Sequence, residues 1–145
     1  MAHARTQIRD AIVTQLTGLP TTGGNVFKNR VYALEPTALP AIVVTTDTEE
    51  IDPNATGQLH RSMEVTLRLL AKATDGLDDT LDDMAAEVET AMANGFPLGA
   101  GISQQITLVA VAVELNGEGD QPHGVMTLTY RVDYFTATGV PGTPL

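Results

Sequence analysis

From Leu59 to Lys72 the chain alternates between two kinds of side chain. One set is Leu59, Arg61, Met63, Val65, Leu67, Leu69 and Ala71; the other is His60, Ser62, Glu64, Thr66, Arg68, Leu70 and Lys72. A repeat of two over that length describes an extended strand with one face buried, breached inward only by Arg61 and outward only by Leu70. Such a strand cannot stand alone. Its edges need neighbouring strands and its apolar face needs a covering layer.

Two amphipathic helices supply the cover. Residues 4–17 place Ala4, Ile8, Ala11, Ile12 and Leu16 at helical spacing, and Gly18 and Pro20 end the run. Residues 75–94 place Leu77, Leu81, Met84, Ala85, Val88 and Met92 on one stripe, with Asp78, Asp79, Asp82, Asp83, Glu87 and Glu89 around the rest. Asp75 is the expected N-cap, and Asn94-Gly95 followed by Pro97 the expected close. The β-branched run Ala41–Thr46 reads as a strand covered on both faces, and Val26–Tyr32 as a short one. Between Thr48 and Gly57 a polar loop is expected, rich in the turn formers Asp52-Pro53-Asn54 and Gly57.

Residues 105–115 carry Val109, Val111, Val113 and Leu115 on one face and Ile106, Leu108, Ala110 and Ala112 on the other, which predicts a central strand. A hairpin loop over 116–120 leads to a returning strand over about 123–136. Residues 137–145, with little to pack, are expected as a mobile tail after a single domain over 1–136. The fold class that follows is α+β. It has a mixed, mainly antiparallel sheet of about four to five strands with two helices packed on one face, in the order α-β-β-β-α-β-β.

Charge is segregated. Eighteen acids stand against eight bases, but residues 1–72 hold seven of each, and all ten surplus acids lie between Asp75 and Asp120 without one Lys or Arg. Sequence-specific nucleic-acid binding needs clustered cations, and none is present. The N-terminus lacks a signal-peptide core, and apolar runs such as Val109–Val113 are too short to span a bilayer. A soluble protein that is not exported and meets no membrane is expected. Cys is absent, which removes disulfides, thiolate nucleophiles and thiolate metal ligands.

Chemistry is sought and not found. Asp52-Pro53-Asn54-Ala55-Thr56-Gly57 matches the first half of a calcium loop, but its twelfth position, which needs a bidentate carboxylate, is Met63. The histidines His3, His60 and His123 share no ligand spacing; His3 falls in an end expected to fray, and His60 reads as an exposed cross-strand neighbour. Ser62 and Ser103 sit in no nucleophile turn, and Gly117-Glu118-Gly119 precedes no helix. No catalytic residue, cofactor or metal site is therefore assigned. A small hydrolase or ligand-binding domain using acids such as Glu64 and Asp133 would show itself by a deep pocket.

A resemblance adds to this reading. The opening His3–Val13 helix, Val26-Phe27-Lys28-Asn29-Arg30-Val31-Tyr32, the Leu39–Val44 strand, the helix Leu77–Glu89 and the hairpin Glu114–Gly124, in this order and spacing, resemble the tail terminator, or minor tail (tail completion), proteins of long-tailed bacteriophages. The resemblance covers residues 1–136. It implies a non-enzymatic structural virion protein whose copies form a ring, a homohexamer in the family. The ring caps the tail tube, ends its polymerisation and offers a surface for head joining. The implied partners are further copies of the chain, the major tail tube protein and a head–tail connector or neck protein, with DNA passing through the lumen. The implied location is the neck end of the virion tail, after assembly in the host cytoplasm. A head–tail joining or head-closure protein is the alternative within the same class. The expected assembly and lumen surface comprises Glu49, Glu50, Asp52 and Asn54 in the loop over 47–57, Asp79, Asp82 and Asp83 on the second helix, and Glu118 and Asp120 at the hairpin tip.

Overall fold

The computed structural model describes residues 2–28, 39–54, 56–72, 76–94, 105–116 and 123–145. The elements run α1 (Ala4–Leu16), β1 (Val26–Lys28), β2 (Ala41–Pro53), β3 (Gln58–Lys72), α2 (Leu77–Asn94), β4 (Gln105–Asn116), β5 (His123–Ala137) and β6 (Val140–Pro144). The sheet has the order β1-β2-β3-β5-β4, with β6 also on β5; β1 is parallel to β2 and every other pair is antiparallel. The fold is α+β, with one strand more than the sequence suggests. Asp75, Gly95, Pro97, Asn29–Tyr32 of the expected short strand and residues 117–120 of the expected hairpin loop lie outside the described residues.

β3 is as the alternation requires. Met63, Val65, Leu67, Leu69 and Ala71 are buried, and they face the same layer as Met126, Leu128, Tyr130, Val132 and Tyr134 of β5. Onto this face pack Ala4, Ile8, Ile12 and Leu16 of α1 and Leu81, Met84, Ala85, Val88 and Met92 of α2, forming one continuous core. Ala41, Ile42, Val43 and Val44 are all buried, so the start of β2 is covered on both faces.

Three expectations are corrected. The polar stretch 48–57 is largely strand: β2 continues to Pro53 and turns back within a few residues into β3. Past Glu49 its polarity reflects the end of a hairpin arm, where Glu50, Ile51, Asp52 and Pro53 are all exposed. Asn54 holds the turn, its side-chain oxygen accepting from the Thr56 and Gln58 amides at 3.0 Å each. Residues 137–145 are no free tail, since Val140–Pro144 forms β6 against β5 and Gln7 Nε2 of α1 donates to the Gly142 carbonyl at 2.7 Å. Finally, β4 is an edge strand rather than a central one. Its two apolar rows arise because a register shift between Leu108 and Ala110 changes which residues face the helices. Ile106 and Leu108 pack partly on the core, whereas Val109, Val111, Val113 and Leu115 are about half exposed.

Candidate assembly surface

The expected surface residues form three groups along the chain, two of which the described residues include. The first group is on β2, where the ladder slips between Thr46 and Glu49, so that Asp47 and Thr48 together oppose Glu64 of β3. Thr48 Oγ1 donates to Glu64, and Thr66 Oγ1 to Asp47, which anchors the bulge. One extra residue inverts the facing of everything after it. Glu49 turns beneath the helix layer, while Glu50 and Asp52 turn to the opposite, helix-free face.

Glu49 is therefore interior, with its side chain 6% exposed. It accepts from Arg61 Nη1 at 2.9 Å, from Arg5 Nη1 at 3.0 Å and from the Tyr134 hydroxyl. Arg61, the inward exception of β3, also donates through Nε to the buried Thr136 Oγ1 at 2.9 Å. This network explains the arginine on an apolar face: a buried charge persists where it is paired and its donors are used. Burial and the bond to Glu49 push the Tyr134 phenol well above its ordinary range. Glu49 is a structural carboxylate, not a docking contact. Nearby, His3 caps α1 rather than fraying. Its Nδ1 accepts from the Arg5 amide at 3.1 Å, and desolvation, with the Arg5 and Arg61 charges, lowers its pKa below 6.5.

On the helix-free face Glu50 and Asp52 border an open hollow of about 900 Å³ floored by β3 and β5. His60 stacks on Phe135 with ring centroids 4.9 Å apart, and its Nε2 lies 3.3 Å from Asp133, which Arg131 also approaches at 3.4 Å. Ser62 stands directly across from Asp133, so its cross-strand partner is the carboxylate and not the imidazole. Glu64, the other acid considered for hydrolysis, stands opposite Arg131 and accepts from Thr48. The hollow is wide and open, unlike a pocket that excludes water from a reaction. Among the described residues no three His, Cys, Asp or Glu side chains converge on a metal position.

The second group, Asp79, Asp82 and Asp83, is exposed on α2 together with Asp78. Glu87 is instead taken up in packing, accepting from the Thr21 amide at 2.9 Å and hydroxyl at 2.5 Å. The third group, Glu118 and Asp120, lies outside the described residues. Among the described residues, the β2 group and the α2 group thus lie on different parts of the fold, Glu50 and Asp52 on the helix-free face and Asp79, Asp82 and Asp83 on the helix layer. Sequence reasoning missed a fourth feature, the apolar flank of β4. Four valines and leucines in alternation signal a buried row, and nothing in their spacing tells an edge strand from a central one.

Comparison with known proteins places this architecture. The family model described as phage minor tail protein U matches residues 3–134. No curated protein matches the chain. Among solved structures, a chain of the virion of a native gene transfer agent particle superposes with a TM-score of 0.50 and 17% identity, covering 90% of this chain and 92% of that one. At that identity the likeness is one of fold. The match over nearly the whole length, on a domain whose features are exterior charge and an open sheet edge, shows that the chain belongs to the phage minor tail protein U family, a family of structural tail proteins.

Proposed function

We propose that copies of this chain close into a ring, a hexamer as the resemblance implies, that caps the end of the phage tail tube. The ring stops tube polymerisation and presents the surface to which the head's neck protein joins. The observation that carries this reading is the family match over residues 3–134.

Physical features of the chain agree with it. A ring of identical subunits joins head to tail, so two different patches of one subunit must match. The described residues of α2 and β4 hold seven acids and no base, whereas residues 2–28 hold Arg5, Arg9 and Lys28 against Asp10. The two regions are electrically distinct, which suits a head-to-tail contact. The exposed Asp79, Asp82 and Asp83 suit a lumen through which DNA passes without sticking, since like charges repel. The hairpin tip around Asn54 and the tip carrying Glu118 and Asp120 serve as axial contacts with tube or neck. Assembly takes place in the host cytoplasm, and the ring remains at the neck end of the virion tail.

Electron microscopy of a phage lacking this chain tests the reading. Abnormally long tails are expected. Tails of normal length beside unattached heads would instead assign the chain to head–tail joining.

A further inference from the structure

We infer that the groove between α2 and β4 is the seat of a second copy of this chain, and that the incoming copy presents the opposite flank of its fold, formed by α1 and β1. This rests on the ring reading above and names its contact surfaces.

The groove exists because the helix layer is narrower than the sheet. α2 lies over β3 and β5. Val111 and Val113 of β4 pair with Leu128 and Met126, whose side chains are core on the helix side, yet Val111 and Val113 stay 52% and 46% exposed. Leu115, opposite Gly124, is 52% exposed. Towards the other end of β4 the groove continues as a hollow of about 300 Å³ floored by Tyr130, Ile106 and Leu108 and rimmed by Glu89. Asp78 and Asp82 precede Glu89 on α2 by eleven and seven residues, spacings that put all three on one helical flank. The surface is thus an apolar trough with an acidic wall. Its outer boundary is a terminal strand of 12 residues, with one row of backbone donors and acceptors that pairs with no strand among the described residues. A long, apolar, open edge promotes uncontrolled association unless something covers it.

Charge selects the occupant. Two copies meeting groove to groove would set acidic walls against each other. The flank at the other end of the sheet order is net basic: α1 and β1 carry Arg5, Arg9 and Lys28 against Asp10, with Lys28 paired to Asp10 and Arg5 to the buried Glu49, so Arg9 holds the surplus charge. Because trough and basic flank lie at opposite ends of one sheet, their contact is heterologous, and repetition of such a contact closes a ring when the rotation allows.

The full-length chain tests this, alone and with purified tail tubes. Val111→Asp/Val113→Asp changes half-exposed positions, so the variant should still fold and melt cooperatively, if at a lower temperature, while the concentration at half-assembly, read by native mass spectrometry, rises more than about a hundredfold. Because the chain has no cysteine, Val113→Cys and Lys28→Cys proteins can be treated with a short bis-maleimide, and cross-linked dimers should form only when the two are mixed. Dimers from Val113→Cys alone would mean groove-on-groove pairing and would overturn the proposal. So would normal assembly of the double aspartate variant, or variant rings that form normally yet no longer bind tubes, which would give the trough to the tube protein. If the wild-type chain forms no closed oligomer alone or on tubes, the ring reading itself fails.

Discussion

Replacing Glu49 by Ala removes the one carboxylate that three donors share. The Arg61 guanidinium left behind has a side chain only 8% exposed, so water cannot take over. Breaking a buried ion pair from one side costs about 3–5 kcal/mol. Tyr134, whose hydroxyl loses its acceptor, adds about 1–2 kcal/mol. Arg5, with a side chain 43% exposed, is rehydrated and adds little. Because the effects share one site and do not simply add, about 4 kcal/mol is expected. For a chain of this size that lowers the melting temperature by about 8–16 °C. Circular-dichroism melts and urea titrations read both quantities. The complementary variant removes the buried part of the network and leaves the half-exposed Arg5 to water: Glu49→Leu, Arg61→Met, Tyr134→Phe and Thr136→Val together should return to within about 1–2 kcal/mol of wild type, since apolar replacement of a buried ionic network is often neutral. A loss below about 1 kcal/mol for Glu49→Ala, or a fourfold variant no more stable than the single one, would refute the assignment of Glu49 as a buried structural anion.

His3 accepts the Arg5 amide only when Nδ1 is unprotonated, and its folded pKa is lowered. Its contribution is therefore present above pH 6.5 and lost as pH falls below that value; His3→Asn, which keeps a cap, should remove this limb of the stability–pH curve, and coincident acid limbs would contradict it. A Cβ on Gly124 would lie 3.1 Å from Cδ1 of the buried Leu81 and 3.3 Å from the Glu114 carbonyl oxygen, beyond displacing the half-exposed Leu115, so Gly124→Val should destabilise by about 1–3 kcal/mol in denaturant titrations. Charge reversal of Asp79, Asp82 and Asp83 to Lys should leave folding intact and impair DNA ejection or tail joining; a phage carrying it that plates normally removes these residues from the lumen.

Much of the scaffold was legible because it rests on local periodicity. The β3 alternation, the stripes of α1 and α2 and the buried start of β2 each follow from residue spacing, and together they demand a one-sided α+β sheet. Glu49 shows where such reading ends. Its neighbours Glu50 and Asp52 are chemically alike, and only the bulge at Asp47 and Thr48 sends one carboxylate inside and the others out. β4 shows a different gap. Its apolar rows specify extended backbone, but strand order depends on which partners compete for each edge.

Residue spacing alone was enough to establish which segments are helix or strand, which faces are apolar and where the acids concentrate, because those properties are set by neighbours within a few positions. Tertiary structure decided which acid is buried, that the last residues add a strand, and that β4 ends the sheet with its valines half exposed. These outcomes turn on contacts between residues far apart in the chain, such as Glu49 with Tyr134 and Gln7 with Gly142, whose pairing no local pattern encodes.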